Sequence, residues 1–222
     1  MSEIAVYIEG GGNTAGQKAE LRQGFDALFA KEKSKAAATS GSLRFIFCGG
    51  RREAYETFMN AVAVKPQIVN ALLVDSEAPI APVPADRSQD ATQRLRYLRQ
   101  TQAIGPRGQG DGWQFEDVSP ERIHLMVQCM EAWIVADPEA LENFYKQDFR
   151  RARLPARANL EDEPKADIYA KLEAATKETR KGLYAKIEHA GKLLLLIDPE
   201  KVASRCRRFS IFREWLNASI DQ

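Results

Sequence analysis

Histidine and cysteine are almost missing from this chain of 222 residues, which holds two of the first and three of the second. Cys48, Cys129 and Cys206 are odd in number and widely separated, so they suggest neither a disulfide framework nor a zinc site. An excess of one charge is missing too: 32 basic against 31 acidic residues give a net charge of +1. That excludes a nucleic-acid binder working by whole-surface attraction and leaves only a local basic patch. Long apolar runs are absent. Leu193 to Ile197 is the longest candidate and falls far short of the ~20 residues of a membrane span, so no membrane partner is expected. Met1-Ser2-Glu3 runs straight into an apolar stretch, without the basic-then-apolar layout of a signal peptide, so a cytoplasmic location is expected.

What is present suits a folded enzyme-sized unit. With 44% hydrophobic residues the chain can bury a sizeable core without disulfides or a structural metal. Four short apolar runs read as strands: Ile4 to Ile8, Leu43 to Cys48, Ala71 to Val74 and Ile123 to Gln128. Their hydrophobicity is continuous and not alternating, which predicts strands covered on both faces, as in parallel sheets. Helical spacing lies between them, with Leu21, Phe25, Leu28 and Phe29 on one face, and a second helix from about Arg52 carrying Tyr55, Phe58, Met59 and Val62. The expected class is α/β: a mostly parallel sheet of about four strands flanked by helices, followed by a helical C-terminal half.

Residues 1–137 are expected to form the α/β core, with an insertion at about 78–118. Pro79, Pro82 and Pro84 open that insertion, a helical stretch Ala91 to Gln102 follows, and glycines crowd Ile104 to Gly112. Residues 138–222 are expected to be helical over Ala140–Tyr145, Ala166–Ala175, Leu183–Leu196 and Glu200–Leu216, packed on or beside the core.

Acidic residues follow two of the strands. Glu9 ends the first, and Asp75 and Glu77 follow the third. In an open parallel sheet, ligands bind beyond the carboxyl ends of the strands. Two carboxylates two residues apart share a side if the chain stays extended. With Glu9 they would make an all-oxygen site of the kind Mg²⁺ or Mn²⁺ takes, together with substrate phosphate. Strand ends also carry acids simply because strands end at water, so each residue alone means little.

Gly10, Gly11 and Gly12 after Glu9 allow a tight turn with backbone close to an anion. The dinucleotide pattern fails at Ala15. The triphosphate-loop pattern fails because Gln17 intervenes before Lys18 and Ala19 stands where Ser or Thr is needed. A plain glycine turn into a helix is the alternative. Arg51 and Arg52, at a helix start on the same sheet end, offer planar forks for a phosphate, or a solvated helix start.

Ile8-Glu9-Gly10 followed later by Val74-Asp75-Ser76-Glu77 resembles the Toprim layout of topoisomerases, primases and overcoming-lysogenization-defect nucleases. The second motif departs from that family's Asp-x-Asp by carrying Glu77. More closely, Tyr7 to Gly12, Phe47 to Arg51, Leu72 to Glu77, His124 to Trp133 and Ile197-Asp198-Pro199 are similar to the bacterial domain of unknown function 4276. The resemblance implies a Mg²⁺-dependent (or Mn²⁺-dependent) phosphodiesterase acting on DNA or RNA, an effector of anti-phage defence with an ATPase partner, and possible oligomers. It implies Glu9 as general acid or base, Asp75 and Glu77 as metal ligands, and Glu131 as a fourth carboxylate ahead of Trp133.

Arg150, Arg151 and Arg153, near Pro155, are candidates to steer a nucleic-acid backbone, or else a solvated surface. His124, inside a strand, reads as a core histidine, and His189, on a polar helix face, as exposed. Cys48 and Cys129 read as small buried hydrophobes. Trp113, Trp133 and Trp215 read as core or interface anchors. The rival to the enzyme is a non-catalytic adaptor whose acidic pocket binds a partner ATPase; a small nucleotide binder using the glycine turn is a third option.

Overall fold

The computed structural model describes residues 2–12, 14–100 and 111–222. Most of the glycine-rich stretch Ile104 to Gly112, and the last two residues of the predicted Ala91–Gln102 helix, lie outside them. The apolar runs form β1 (Glu3–Glu9), β2 (Ser42–Gly49), β3 (Val69–Asp75) and β4 (Ile123–Met126). The first three are longer than the sequence predicts, and the fourth stops before Gln128. They make one parallel sheet in the order β2-β1-β3-β4.

Both faces of the sheet are covered, as continuous hydrophobicity requires. Ile4, Val6 and Ile8 of β1 join Phe45 and Phe47 of β2 and Leu73 of β3 in one core. Against them pack α1 (Ala15–Leu28), α2 (Ala30–Ala38) and the C-terminal helices α5 (Glu131–Val135), α6 (Pro138–Tyr145), α7 (Lys165–Thr176), α8 (Lys186–Leu194), α9 (Pro199–Arg205) and α10 (Arg207–Ile220). Ala5, Tyr7, Leu72, Val74 and Leu125 face the other way. They bury α3 (Arg51–Val64), α4 (Arg87–Arg99) and the segment around Trp113 and Phe115. Trp133 is among the most buried side chains, and Trp113 is buried too. Among the described residues, no helix is long and apolar enough to cross a membrane.

Local chemistry explains the element ends. Thr14 caps α1 by accepting from the Gln17 backbone N–H at 3.2 Å, while the Gln17 side chain accepts from Thr14, a reciprocal cap. The predicted helix Glu200–Leu216 is two helices. Cys206 is buried and extended (φ −130°, ψ 95°), and the Glu161 carboxylate accepts from the Arg208 backbone N–H in the first turn of α10. A distant carboxylate thus starts a new helix where periodicity shows one.

His189 is a correction. It is buried, not exposed, and its Nδ1 lies 3.0 Å from the Tyr145 hydroxyl and accepts from the Ala185 N–H at 3.1 Å. The helix face that carries it packs on α6, which local polarity does not reveal.

His124 is a core residue, its ring 4.8 Å from Phe212 and 4.7 Å from Trp215, with Nε2 unpartnered. Burial, aided by the Arg94 charge, holds its imidazole well below the ordinary histidine value. A folded pKa below the unfolded one, about 6.5, means stability is intact above that pH and is lost as pH falls toward the folded value. Taking the protein from about pH 7.5 to about pH 5 is therefore expected to lower the Tm of wild type more than that of His124→Phe. Parallel Tm–pH curves for the two proteins would contradict it.

The order β2-β1-β3-β4 has one consequence for function. From β1 the chain crosses to one side to form β2, and β3 then starts the growth on the other side. Neighbouring crossovers leave from opposite faces, so a crevice opens beyond the carboxyl ends of β1 and β3. Glu9 and Asp75 are the last residues of those strands.

Candidate functional site

At that crevice Glu9, Asp75 and Glu77 each offer a carboxylate oxygen within 4.8 Å of the others. The route differs from the extended one the sequence predicts. β3 ends at Asp75, and Glu77 takes a left-handed backbone (φ 66°), costly for a residue with a Cβ. The Glu77 N–H donates to the Gln128 carbonyl at 2.9 Å, and Ser76 N–H to Met126 at 2.9 Å, so the segment after β4 holds the turn. Strain held in place by surrounding structure is common where a side chain must be aimed.

Asp75 is buried, and its Oδ1 accepts from the Met130 N–H at 2.9 Å. Glu9 Oε2 accepts from the Asp75 N–H at 3.2 Å and from Arg51 Nη1 at 3.0 Å. Three cations stand among the acids. Arg51 also donates to the Asp75 carbonyl, forks onto both Asp111 oxygens at 2.8 Å, and lies over the Trp113 ring at 5.1 Å. Lys165 is 2.6 Å from Glu77 and 3.6 Å from Asp75. Lys186 lies 3.8 Å from Asp75 and 3.3 Å from Glu131. Glu131 is fully buried, takes a hydrogen bond from the Tyr184 hydroxyl at 3.1 Å, and is joined to the group of three through Lys186.

Ion pairs therefore join five carboxylates (Glu9, Asp75, Glu77, Asp111 and Glu131) to three cations (Arg51, Lys165 and Lys186). Two negative charges remain uncompensated when all are ionised. Burial raises the Glu9 carboxyl; Arg51 opposes that and Glu77 adds to it. Burial likewise pushes Asp75 up to about 7, against the pull of Lys186. For Lys186 burial disfavours the charge, but Asp75 and Glu131 outweigh it and keep the ammonium protonated well above the usual range.

Of the other candidates, the glycines and Arg51 border the cluster and the remaining arginines fall elsewhere. Gly10 to Gly12 line the rim next to Glu9, with Gly10 exchanging backbone bonds with Gly49 at 2.7 and 3.0 Å. Arg51 points at carboxylates; Arg52 points to solvent and pairs with Glu56 at 2.7 Å. Arg150 pairs with Glu178, Arg151 with Glu142 at 3.3 Å, and Arg153 is exposed in the same turn. None of these last contacts involves the acidic cluster.

Lys165, Lys186 and Asp111 were not foreseen from the sequence, since each comes from a distant segment. One signal was available. Lys165 and Lys186 are the first residues of α7 and α8, where the helix dipole disfavours a cation, so each needs acidic partners to be held there.

The model of the domain of unknown function 4276 (DUF4276) matches residues 8–217. The chain belongs to this family. The match runs from the last buried residue of β1 into α10, so it takes in every residue of the acidic site. No curated protein and no solved structure matches the chain.

Proposed function

We propose that the chain is a divalent-metal-dependent phosphodiesterase acting on nucleic acid, with Mg²⁺ or Mn²⁺ held by Glu9, Asp75 and Glu77. The convergence of those three carboxylates within 4.8 Å at the switch in strand order is the observation that carries the reading. The donor set fits such an ion: it is all oxygen and part-buried, and it belongs to a cluster in which five carboxylates face three cations. When bound, the ion supplies charge neutralisation for a phosphodiester and acidifies water. This reading also assigns to Glu9 the exchange of a proton at its Oε atoms, as the motif resemblance implies. Lys165 and Lys186, now counter-ions to Asp75, are placed to transfer to a substrate phosphate once the acids have another partner. The Toprim layout, the defence role and an ATPase partner belong to this reading, and they rest on the Glu9-Gly10 and Asp75-Ser76-Glu77 motifs.

The same lysines favour a second reading. In that reading they and Arg51 are permanent counter-ions, and the acidic pocket is an adaptor surface for a partner ATPase. The two separate by metal titration. A ligand bound only by the folded state stabilises it, by about 2.7 kcal/mol at a hundredfold excess over Kd. Mg²⁺ or Mn²⁺ is expected to raise the Tm of wild type and to support oligonucleotide cleavage, which Glu9→Gln lowers about 10²- to 10⁴-fold. Tm indifferent to both ions, with no cleavage, would remove the phosphodiesterase and favour the adaptor.

A further inference from the structure

A cavity of about 240 Å³ opens beside the acidic cluster, between the starts of α1 and α8. It lies beside the closest approach of those helices. At Gly24 an added Cβ would lie 2.7 Å from the Gly191 carbonyl, and at Gly191 one would lie 2.9 Å from that of Glu20. Next to this backbone contact is a slot walled by Leu21, Ala190, Ile187 and the backbone of Gly10 to Gly12. Lys186 belongs both to the slot and to the cluster, where it pairs with Asp75 and Glu131.

The geometry points to this slot as the seat of one nucleobase, that of the nucleotide whose phosphate lies at the acidic cluster; the inference rests on the phosphodiesterase reading. The walls are aliphatic or glycine backbone, which suits the apolar faces of a flat heterocycle. The polar side chains at the slot already have partners: Gln17 caps α1, Glu20 lies 3.6 Å from Lys192, and Lys186 pairs with Asp75 and Glu131. Base identity is therefore read weakly and shape decides. A base seated there has left its stack, which costs least when it is unpaired. The substrate class follows: single-stranded or locally opened nucleic acid, cut with little sequence preference.

The test uses the full chain with Mn²⁺ and a short labelled oligonucleotide, single-stranded or annealed, carrying one abasic residue moved along it. Single strands are expected to be cut faster than the duplex. The abasic residue is expected to lower kcat/KM about tenfold at one position relative to the cut and little elsewhere. Ile187→Trp narrows the slot from an exposed position. It is expected to lower kcat/KM on the intact strand and to have no further effect on the strand abasic at the sensitive position. Equal cutting of duplex, uniform tolerance of the abasic residue, or additive effects of the two changes would overturn the slot while leaving the nuclease standing. No cleavage of any strand removes the phosphodiesterase reading and the slot with it.

Discussion

Asp75→Asn is expected to abolish the metal-induced rise in Tm and to lower cleavage by about a hundredfold or more, beyond the loss usual for residues that merely support a ligand. The fold should survive. Asparagine keeps an oxygen for the Met130 N–H, and Lys165 and Lys186 retain Glu77 and Glu131. The metal-free proteins should also differ in their response to pH. Burial raises the Asp75 carboxyl to about 7 in the folded state, against an ordinary value of 3.8. A raised folded pKa contributes stability that is present below the unfolded value and is lost as pH rises through the folded one. Wild type without metal should therefore lose stability relative to Asp75→Asn from about pH 4 to about pH 7, and the difference should level off above that. Thermal melts with and without Mn²⁺ across this range measure both effects. An Asp75→Asn protein that still gains stability from metal would remove Asp75 from the site.

Asp90→Ala is expected to cost about 3–5 kcal/mol, the usual penalty for breaking a buried ion network from one side. Asp90 is fully buried on α4 and pairs with Arg94 and, at 3.0 Å, with Arg208. Arg208 continues to Glu161 at 3.1 Å and donates to the Ala81 carbonyl at 2.7 Å, while Arg94 donates to Ile123 at 2.7 Å. Removing the carboxylate leaves two guanidinium groups close together in the interior; burial, and Arg208 nearby, already lower the Arg94 pKa. Since domains are stable by only about 5–15 kcal/mol, urea unfolding should show a large drop in midpoint. Replacing Asp90 together with Arg94 by apolar residues should recover part of the loss, because the Arg208–Glu161 pair then stays intact and no unpaired charge of the network remains buried. An Asp90→Ala midpoint close to wild type would show that the network contributes little.

This network also bears on the site. It fastens α4 to β4 and α10, and α4 carries Tyr97, whose hydroxyl donates to the Ser76 carbonyl at 2.6 Å, between Asp75 and Glu77. A weakened network should therefore loosen the aim of Glu77 as well as the fold.

The architecture was readable in the sequence because it rests on burial, and burial leaves a pattern in neighbouring residues. Continuous apolar runs at Ile4, Leu43, Ala71 and Ile123 meant strands covered twice, and the sheet is indeed parallel with helices on both faces. Glu9, Asp75 and Glu77 stood out because a parallel sheet exposes its carboxyl ends to ligands. Pattern failed where a distant group decides the local outcome. The break at Cys206, the burial of His189 and the left-handed turn at Glu77 each depend on partners tens of residues away.

By itself, then, the sequence determined the fold class, the strand ends to within one or two residues, and which carboxylates stand near them. Only the tertiary structure decided that three of them converge, that Glu131 joins them through Lys186, and that Arg51, Lys165 and Lys186 leave two negative charges unmatched. The reason is physical. Backbone propensity and hydrophobic periodicity act over a few residues, whereas charges in a crevice are set by whichever segments the packed core brings there.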